Sequence, residues 1–252
     1  MIAMKESLSL CASTRYHRNM GRTQTRFGKS MLGAAPRVVG VVTRVETLEQ
    51  LAHSKGRDCD IVELRLDIMG AETPRWLEHA QAVEAHGLPV VVTIRLTEEG
   101  GHWNQADEAR LPLFEQALRH LAAADIELRS PLVEKVSALA REHQRALIVS
   151  HHDFERTPPL EELRDIMTRA GKYGTVIKLA TFTKSEQDIA TLRSLFHENC
   201  PAPLCLIGMG PLGAQTRVEF PKLGSCLTYG YLDAPVVPGQ ISAQELMRLL
   251  RK

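Results

Sequence analysis

The chain predicts a single (β/α)8 TIM barrel, an α/β fold, on three observations. Eight short runs rich in β-branched residues recur along it, each is followed by an amphipathic stretch, and the alternation occupies about 215 residues, in the lower size range of that architecture. An open doubly wound sheet is the structural alternative. Its dinucleotide-binding form is disfavoured, because the first β/α turn, Thr43-Arg44-Val45-Glu46, contains no glycine to let backbone approach a pyrophosphate.

Residues 1–35 stand apart from the alternation. They carry Lys5, Arg15, Arg18, Arg22, Arg26 and Lys29 against one acid, Glu6, and show no sustained periodicity. Such a composition buries too little apolar surface to offset its ordering entropy, so the expectation is a disordered basic extension with the barrel domain spanning 36–252. A transit peptide, a dispensable tail and a start codon placed too far upstream all fit that composition.

From Pro36 onward the expected strands are 38–43, 61–66, 89–94, 125–128, 146–150, 175–180, 203–207 and 226–231. Helical spacing marks the segments between them. Residues 111–122 place Pro112 in a first turn and repeat Leu113, Phe114, Ala117, Leu118 and Leu121 on one face. In 160–170, Leu163, Ile166 and Met167 recur in the same way, with Pro158 and Pro159 before the helix and Gly171 as its C-cap. Ser242 is placed to cap a last helix, with Glu245 three residues on.

Bulk properties narrow the function. A net charge of +1 leaves no electrostatic footprint for nucleic acid or an acidic membrane, and no apolar run reaches the length needed to cross a bilayer. The cysteines, Cys11, Cys59, Cys200, Cys205 and Cys226, are odd in number and lack C-x-x-C spacing, which argues against a disulfide framework and a zinc site and fits a reducing cytoplasm. A small-molecule substrate is the remaining default.

Two residues carry the chemistry. Lys178 lies inside Thr175-Val176-Ile177-Lys178-Leu179-Ala180, and His152 ends the preceding strand run, Ala146-Leu147-Ile148-Val149-Ser150-His151-His152. An isolated strand lysine usually faces solvent or a carboxylate, but apolar neighbours on both sides point here to a buried amine, the setting in which amines become nucleophilic. An amine nucleophile beside an imidazole base suits imine chemistry. Barrel active sites lie at the C-terminal ends of strands, where Glu63, Arg65, Asp67, Arg95, Glu99, Asp125, Glu127 and Asp153 also fall.

The segments Glu63-Leu64-Arg65-Leu66-Asp67, Arg95-Leu96-Thr97-Glu98-Glu99-Gly100-Gly101, Ser150-x-His152-Asp153-Phe154 with Thr157-Pro158, and Lys178 appear in an order and spacing that resemble the type I 3-dehydroquinate dehydratases. Met209-Gly210, Arg217 and Pro238-Gly239-Gln240-Ile241-Ser242 continue the resemblance to the end of the chain. It implies a Schiff-base dehydratase of the shikimate pathway that converts 3-dehydroquinate to 3-dehydroshikimate without metal or organic cofactor, commonly as a homodimer. Carried over residue by residue, it implies Lys178 as the imine-forming amine, His152 as base and acid, and Glu99 beside the histidine. Asp125 assists that network. On the same resemblance, Arg217 would grip the substrate carboxylate, Gln240 would close over the substrate, and Glu63, Arg65 and Arg95 would bind ring hydroxyls and support the pocket. Phe154, Met209 and Tyr229 form apolar walls.

The chain departs from the family pattern at Val236, where many members carry a lid serine, at Ile207 in place of a methionine, and at Pro211 in place of a lysine. The small polar residue expected at the end of the first strand is Val41 or, in a shifted register, Thr43. Two other functions are weighed. A Schiff-base aldolase would need a phosphate site, which Gly208, Gly210 and Gly213 could supply. A non-catalytic metabolite sensor would have no need of Lys178 or His152, and both are present.

Overall fold

The computed structural model describes residues 23–54, 56, 58–237 and 239–251. Residues 1–22 of the basic extension, Pro238 of the Pro-Gly-Gln turn and Lys252 lie outside the described residues. The eight barrel strands are β3 (Arg37–Val42), β4 (Ile61–Arg65), β5 (Val90–Thr93), β6 (Ala123–Glu127), β7 (Ala146–Asp153), β8 (Val176–Phe182), β9 (Leu204–Met209) and β10 (Leu227–Tyr231). All seven pairings along the order β10-β3-β4-β5-β6-β7-β8-β9 are parallel. The ends of that ladder meet where the Cys226 N–H donates to Leu204 O at 2.8 Å, so the sheet is a nearly closed barrel and the open doubly wound alternative is set aside.

Helices α1 (Val45–His53), α2 (Leu66–Met69), α3 (Trp76–Ala85), α4 (Leu111–His120), α5 (Val133–Glu142), α6 (Leu160–Ala170), α7 (Glu186–Ser194), α8 (Gly213–Leu223) and α9 (Ala243–Leu250) lie between and after the strands. The expected starts are found: Pro112 sits in the first turn of α4, Pro159 precedes α6, and Ser242 Oγ accepts the Glu245 N–H at 3.2 Å to cap α9. Gly171 follows α6 in right-handed rather than left-handed geometry. Its glycine is required by crowding, since a Cβ there would lie 2.3 Å from Pro201 Cγ. Among the described residues, no helix is long and apolar enough to cross a membrane.

The period of two along each strand divides the apolar residues into two cores. Val38, Val42, Val62, Leu64, Val90, Val92, Leu147, Val149, Ile177, Leu179, Leu204 and Leu206 face outward beneath the helices. Val39, Val41, Ile61, Val91, Ala123, Ile148, Val176, Cys205 and Leu227 fill the barrel. Continuing the inward parity up each strand gives Glu63 and Arg65, Thr93 and Arg95, Asp125 and Glu127, Ser150 and His152, and Lys178. The chemistry at the top of the barrel thus shares the register of the packing at its floor.

The sequence leaves all of 1–35 outside the folded unit, and here the structure differs. β1 (Thr25–Phe27) and β2 (Ser30–Leu32) form an antiparallel hairpin turning at Gly28, whose φ is +57°. Phe27 and Leu32 are fully buried in the barrel-filling cluster. Two large apolar side chains suffice to hold the segment, because the barrel floor supplies the surface that the segment's own composition lacks.

Candidate active site

All eight residues expected from the sequence to form the site, Glu63, Arg65, Arg95, Glu99, His152, Lys178, Arg217 and Gln240, line one cavity of about 580 Å³, open mouth included. Lys178 Nζ lies 3.0 Å from Asp125 Oδ2, 3.6 Å from Glu63 Oε1 and 4.1 Å from the centre of the Tyr229 ring. The lysine is buried, as its apolar neighbours in the strand lead one to expect, and two carboxylates and an aromatic face surround its head group. An ammonium and a protonated imine carry the same charge at nearly the same place, so these groups complement both.

Asp125 is the hub. Its Oδ1 accepts from Arg95 Nη2 at 2.8 Å and from Ser150 Oγ at 2.7 Å, while Oδ2 takes the lysine. Burial favours the neutral acid, but the Arg95 and Lys178 cations override it and hold its pKa below the usual carboxylate range. Arg95 is opposed by burial too, and Asp125, Glu127 and Glu99 together keep it above its ordinary value. Most of the guanidinium of Arg95 is engaged by Asp125, Ser150 and Glu127, so its work is to organise the pocket's carboxylates.

His152 Nδ1 lies 2.8 Å from Glu99 Oε2, and the same oxygen accepts the His152 backbone N–H at 3.0 Å. With Nδ1 occupied, Nε2 is the ring nitrogen left for the cavity. Burial, reinforced by the Arg95 and Lys178 cations, pushes the imidazole pKa well below its ordinary value, which keeps the ring neutral and basic. Burial pushes the Glu99 carboxyl up to about 7, against the pull of Arg95. Glu99 rides on the 3-10 turn Thr97–Glu99, which the Gly100 and Gly101 backbone closes. His151 points to the opposite face, as strand alternation requires.

Arg65 is held in a bidentate pair with Asp67, Nε to Oδ1 at 2.9 Å and Nη2 to Oδ2 at 2.8 Å. Glu63 Oε1 accepts from Thr93 Oγ1 at 2.9 Å. Arg217 is different. Glu219, its nearest acid in sequence, pairs with Arg193 instead, and among the described residues the Arg217 guanidinium makes one hydrogen bond, from Nη1 to Tyr229 O at 2.9 Å. Its Nε is buried without a partner, and burial lowers the guanidinium pKa to about 10. A buried cation without an anion is a site for a negatively charged ligand.

The loop after β10 completes the mouth with Val236, Val237 and Gln240, the Gln240 side chain accepting the Val236 N–H at 2.8 Å. Val41 lines the cavity, whereas Thr43 donates from N and Oγ1 to Asp233 at the base of this loop. Val41 therefore occupies the first-strand position. Met209 and Tyr229 are buried walls, and Phe154 lies at the rim, half-exposed. The glycines do not form a phosphate nest. Gly208 N–H donates to Thr216 Oγ1 and Gly213 N–H to Gly210 O, while a Cβ at Gly213 would lie 2.3 Å from Gly208 O. Close packing of α8 on β9 accounts for Gly208 and Gly213, while Gly210 turns with a φ of +81° against the Phe182 ring.

Thr93 and Ser150 were not singled out from sequence as site residues. The signal that finds them is parity: each stands two residues before a recognised one, Arg95 and His152, on the same face of its strand.

The type I 3-dehydroquinase family model matches residues 38–252. The chain belongs to this family. It is 36% identical over 216 residues to the 3-dehydroquinate dehydratase of Methanocella arvoryzae, covering 86% of this chain and 96% of that protein. The 3-dehydroquinate dehydratase structure from Aquifex aeolicus matches with a TM-score of 0.73 at 32% identity, over 84% of this chain and 96% of that one. That of Geobacillus kaustophilus matches with a TM-score of 0.81 at 26% identity, over 91% and 95% respectively.

Proposed function

We propose that the chain is a hydro-lyase of the shikimate pathway that eliminates water from 3-dehydroquinate through an imine at Lys178. The observation that carries this reading is a buried lysine, a neutral histidine and an unpaired arginine facing one cavity.

The Lys178 ammonium gives up a proton, its amine adds to the substrate ketone, and with that proton returned the adduct loses one water, leaving a protonated imine beside Asp125 and Glu63. That nitrogen draws electrons from the adjacent carbon, so His152 Nε2 removes a proton from it and the pair flows into an enamine. The enamine expels the ring hydroxyl, which leaves as water with the proton that His152 returns. Hydrolysis of the conjugated imine frees the product and restores Lys178. Glu99 holds the imidazole with its Nδ1 proton toward the carboxylate. Arg217 receives the substrate carboxylate, Arg65 and Glu63 address the ring hydroxyls, Arg95 fixes Asp125, and Gln240 closes the mouth.

Borohydride added with 3-dehydroquinate is expected to fix the substrate covalently on Lys178, located by peptide mass. Turnover without an adduct would defeat the mechanism, and an adduct on Lys178→Ala would defeat the residue assignment. His152→Ala should still be trapped while losing at least ~100-fold in kcat. A homodimer in a reducing cytoplasm completes the reading. The family resemblance supports the dimer and the free thiols Cys59, Cys200, Cys205 and Cys226 support the compartment; light scattering that returns a monomer at working concentration would remove the dimer.

A further inference from the structure

Behind Asp125 the charges continue through buried side chains toward the 3-10 turn that precedes α4. Arg95 Nη1 lies 3.3 Å from Glu127 Oε1, and Glu127 Oε2 accepts from Arg110 Nη1 at 2.7 Å. Arg110, in the 3-10 turn Asp107–Arg110, is fully buried, and all three of its nitrogens are engaged. Nε donates to Asp107 Oδ1 at 2.7 Å, Nη1 also to Ile94 O at 2.6 Å, and Nη2 to Ser130 Oγ at 3.0 Å. From Arg110 through Glu127, Arg95 and Asp125 to Lys178, buried side chains thus alternate in sign in an unbroken line.

In that line Arg95 is shared between two carboxylates, and what it gives to one it withholds from the other. We propose that Arg110 is a positioning residue that, by neutralising Glu127, leaves Arg95 committed to Asp125 and so limits how tightly Asp125 grips the Lys178 amine. This rests on the imine reading above. Besides Asp125, the charged and titratable groups facing Lys178 are Glu63 on β4, Arg95 just after β5, His152 on β7, Cys205 on β9 and Tyr229 on β10. Arg110 touches none of the reacting atoms. It acts through Glu127 and Arg95.

The test is the pH dependence of the rate of borohydride-trapped adduct formation with 3-dehydroquinate, measured beside kcat. In Arg110→Met, Glu127 draws Arg95 away, Asp125 holds the amine harder, and the acid limb of adduct formation moves to higher pH. In Glu127→Gln, Arg95 turns wholly to Asp125 and the limb moves to lower pH. Each displacement is expected to be about one pH unit, the low end of what a redistributed neighbouring charge produces. The double variant Arg110→Met/Glu127→Gln should return toward the wild-type profile.

A merely structural role would lower the rate at every pH without displacing the limb, and would make the double variant no better than Arg110→Met. Unshifted limbs, or shifts of the same sign in the two single variants, overturn the proposal. Should Arg110→Met fail to fold, the downward shift in Glu127→Gln decides alone. Wild-type protein that forms no adduct would instead defeat the imine reading, which keeps the two failures apart.

Discussion

At the scale of single residues, the Glu99–His152 pair sets the expected pH behaviour. On the proposed mechanism the histidine serves as base when Glu99 is ionised and accepts the hydrogen bond from Nδ1–H, so the acid limb of kcat should centre near 7, where Glu99 loses its proton. Glu99→Gln removes that titration: the limb near 7 should vanish and kcat should fall, as a kcat-against-pH series will show. The same shift bears on stability. Glu99 binds its proton more tightly in the fold than at its ordinary 4.5, so its contribution favours the native state at low pH and is lost as pH rises from about 4.5 to about 7. Glu99→Gln should therefore stabilise the fold more at pH 8 than at pH 5, read as the difference in Tm.

Val236 is the other residue with a distinct expectation. It lines the cavity mouth, where a serine hydroxyl would add a partner for a charged substrate oxygen. Such a bond is worth roughly 1.5 to 3 kcal/mol, or about 10- to 150-fold in kcat/KM. Val236→Ser should raise kcat/KM on 3-dehydroquinate accordingly; an equal or lower value would mean that another group already fills the role.

At the scale of elements, the strands were legible because a barrel strand covered on both faces must be apolar and β-branched, and 146–150 and 175–180 could hardly read otherwise. β6 was found two residues late, starting at Ala123 rather than Asp125, since alanines carry no strand signal. The strand register also made the inward-facing site residues recoverable from the sequence. Contacts between elements were not. Nothing near Lys178 in sequence announces Asp125 and Glu63, and nothing distinguishes Arg110 from a surface arginine paired with Asp107 one turn away. The turn that carries Glu99 offers an element-scale test. A Cβ at Gly101 would lie 2.0 Å from the Arg95 carbonyl oxygen, which is backbone and cannot move aside. Gly101→Ala should therefore displace Thr97–Glu99, lowering kcat and costing roughly 1–3 kcal/mol of stability by overpacking, measured in parallel by kinetics and urea unfolding.

At the scale of the whole molecule, stability and chemistry occupy opposite ends of the barrel. Phe27 and Leu32 pack into the floor, while the reacting groups stand at the C-terminal ends of the strands. Phe27→Ala should cost about 3–5 kcal/mol of folding stability yet leave kcat of the folded enzyme unchanged, as calorimetry and active-site titration can establish. The hairpin escaped the sequence because each strand has three residues, too few for alternation to register, inside a basic segment that resembles a solvated tail.

With Phe27 and Leu32 packed into its floor, the barrel's cavity opens, among the described residues, at the C-terminal ends of the strands. On the proposed mechanism, water liberated beside Lys178 departs past Phe154 and beneath the loop bearing Val236, Val237 and Gln240, which line the same mouth that admits substrate. Entry, elimination and exit are thereby serial events at one doorway, and turnover becomes sensitive to solvent viscosity whenever that doorway is slower to open than the bonds are to break.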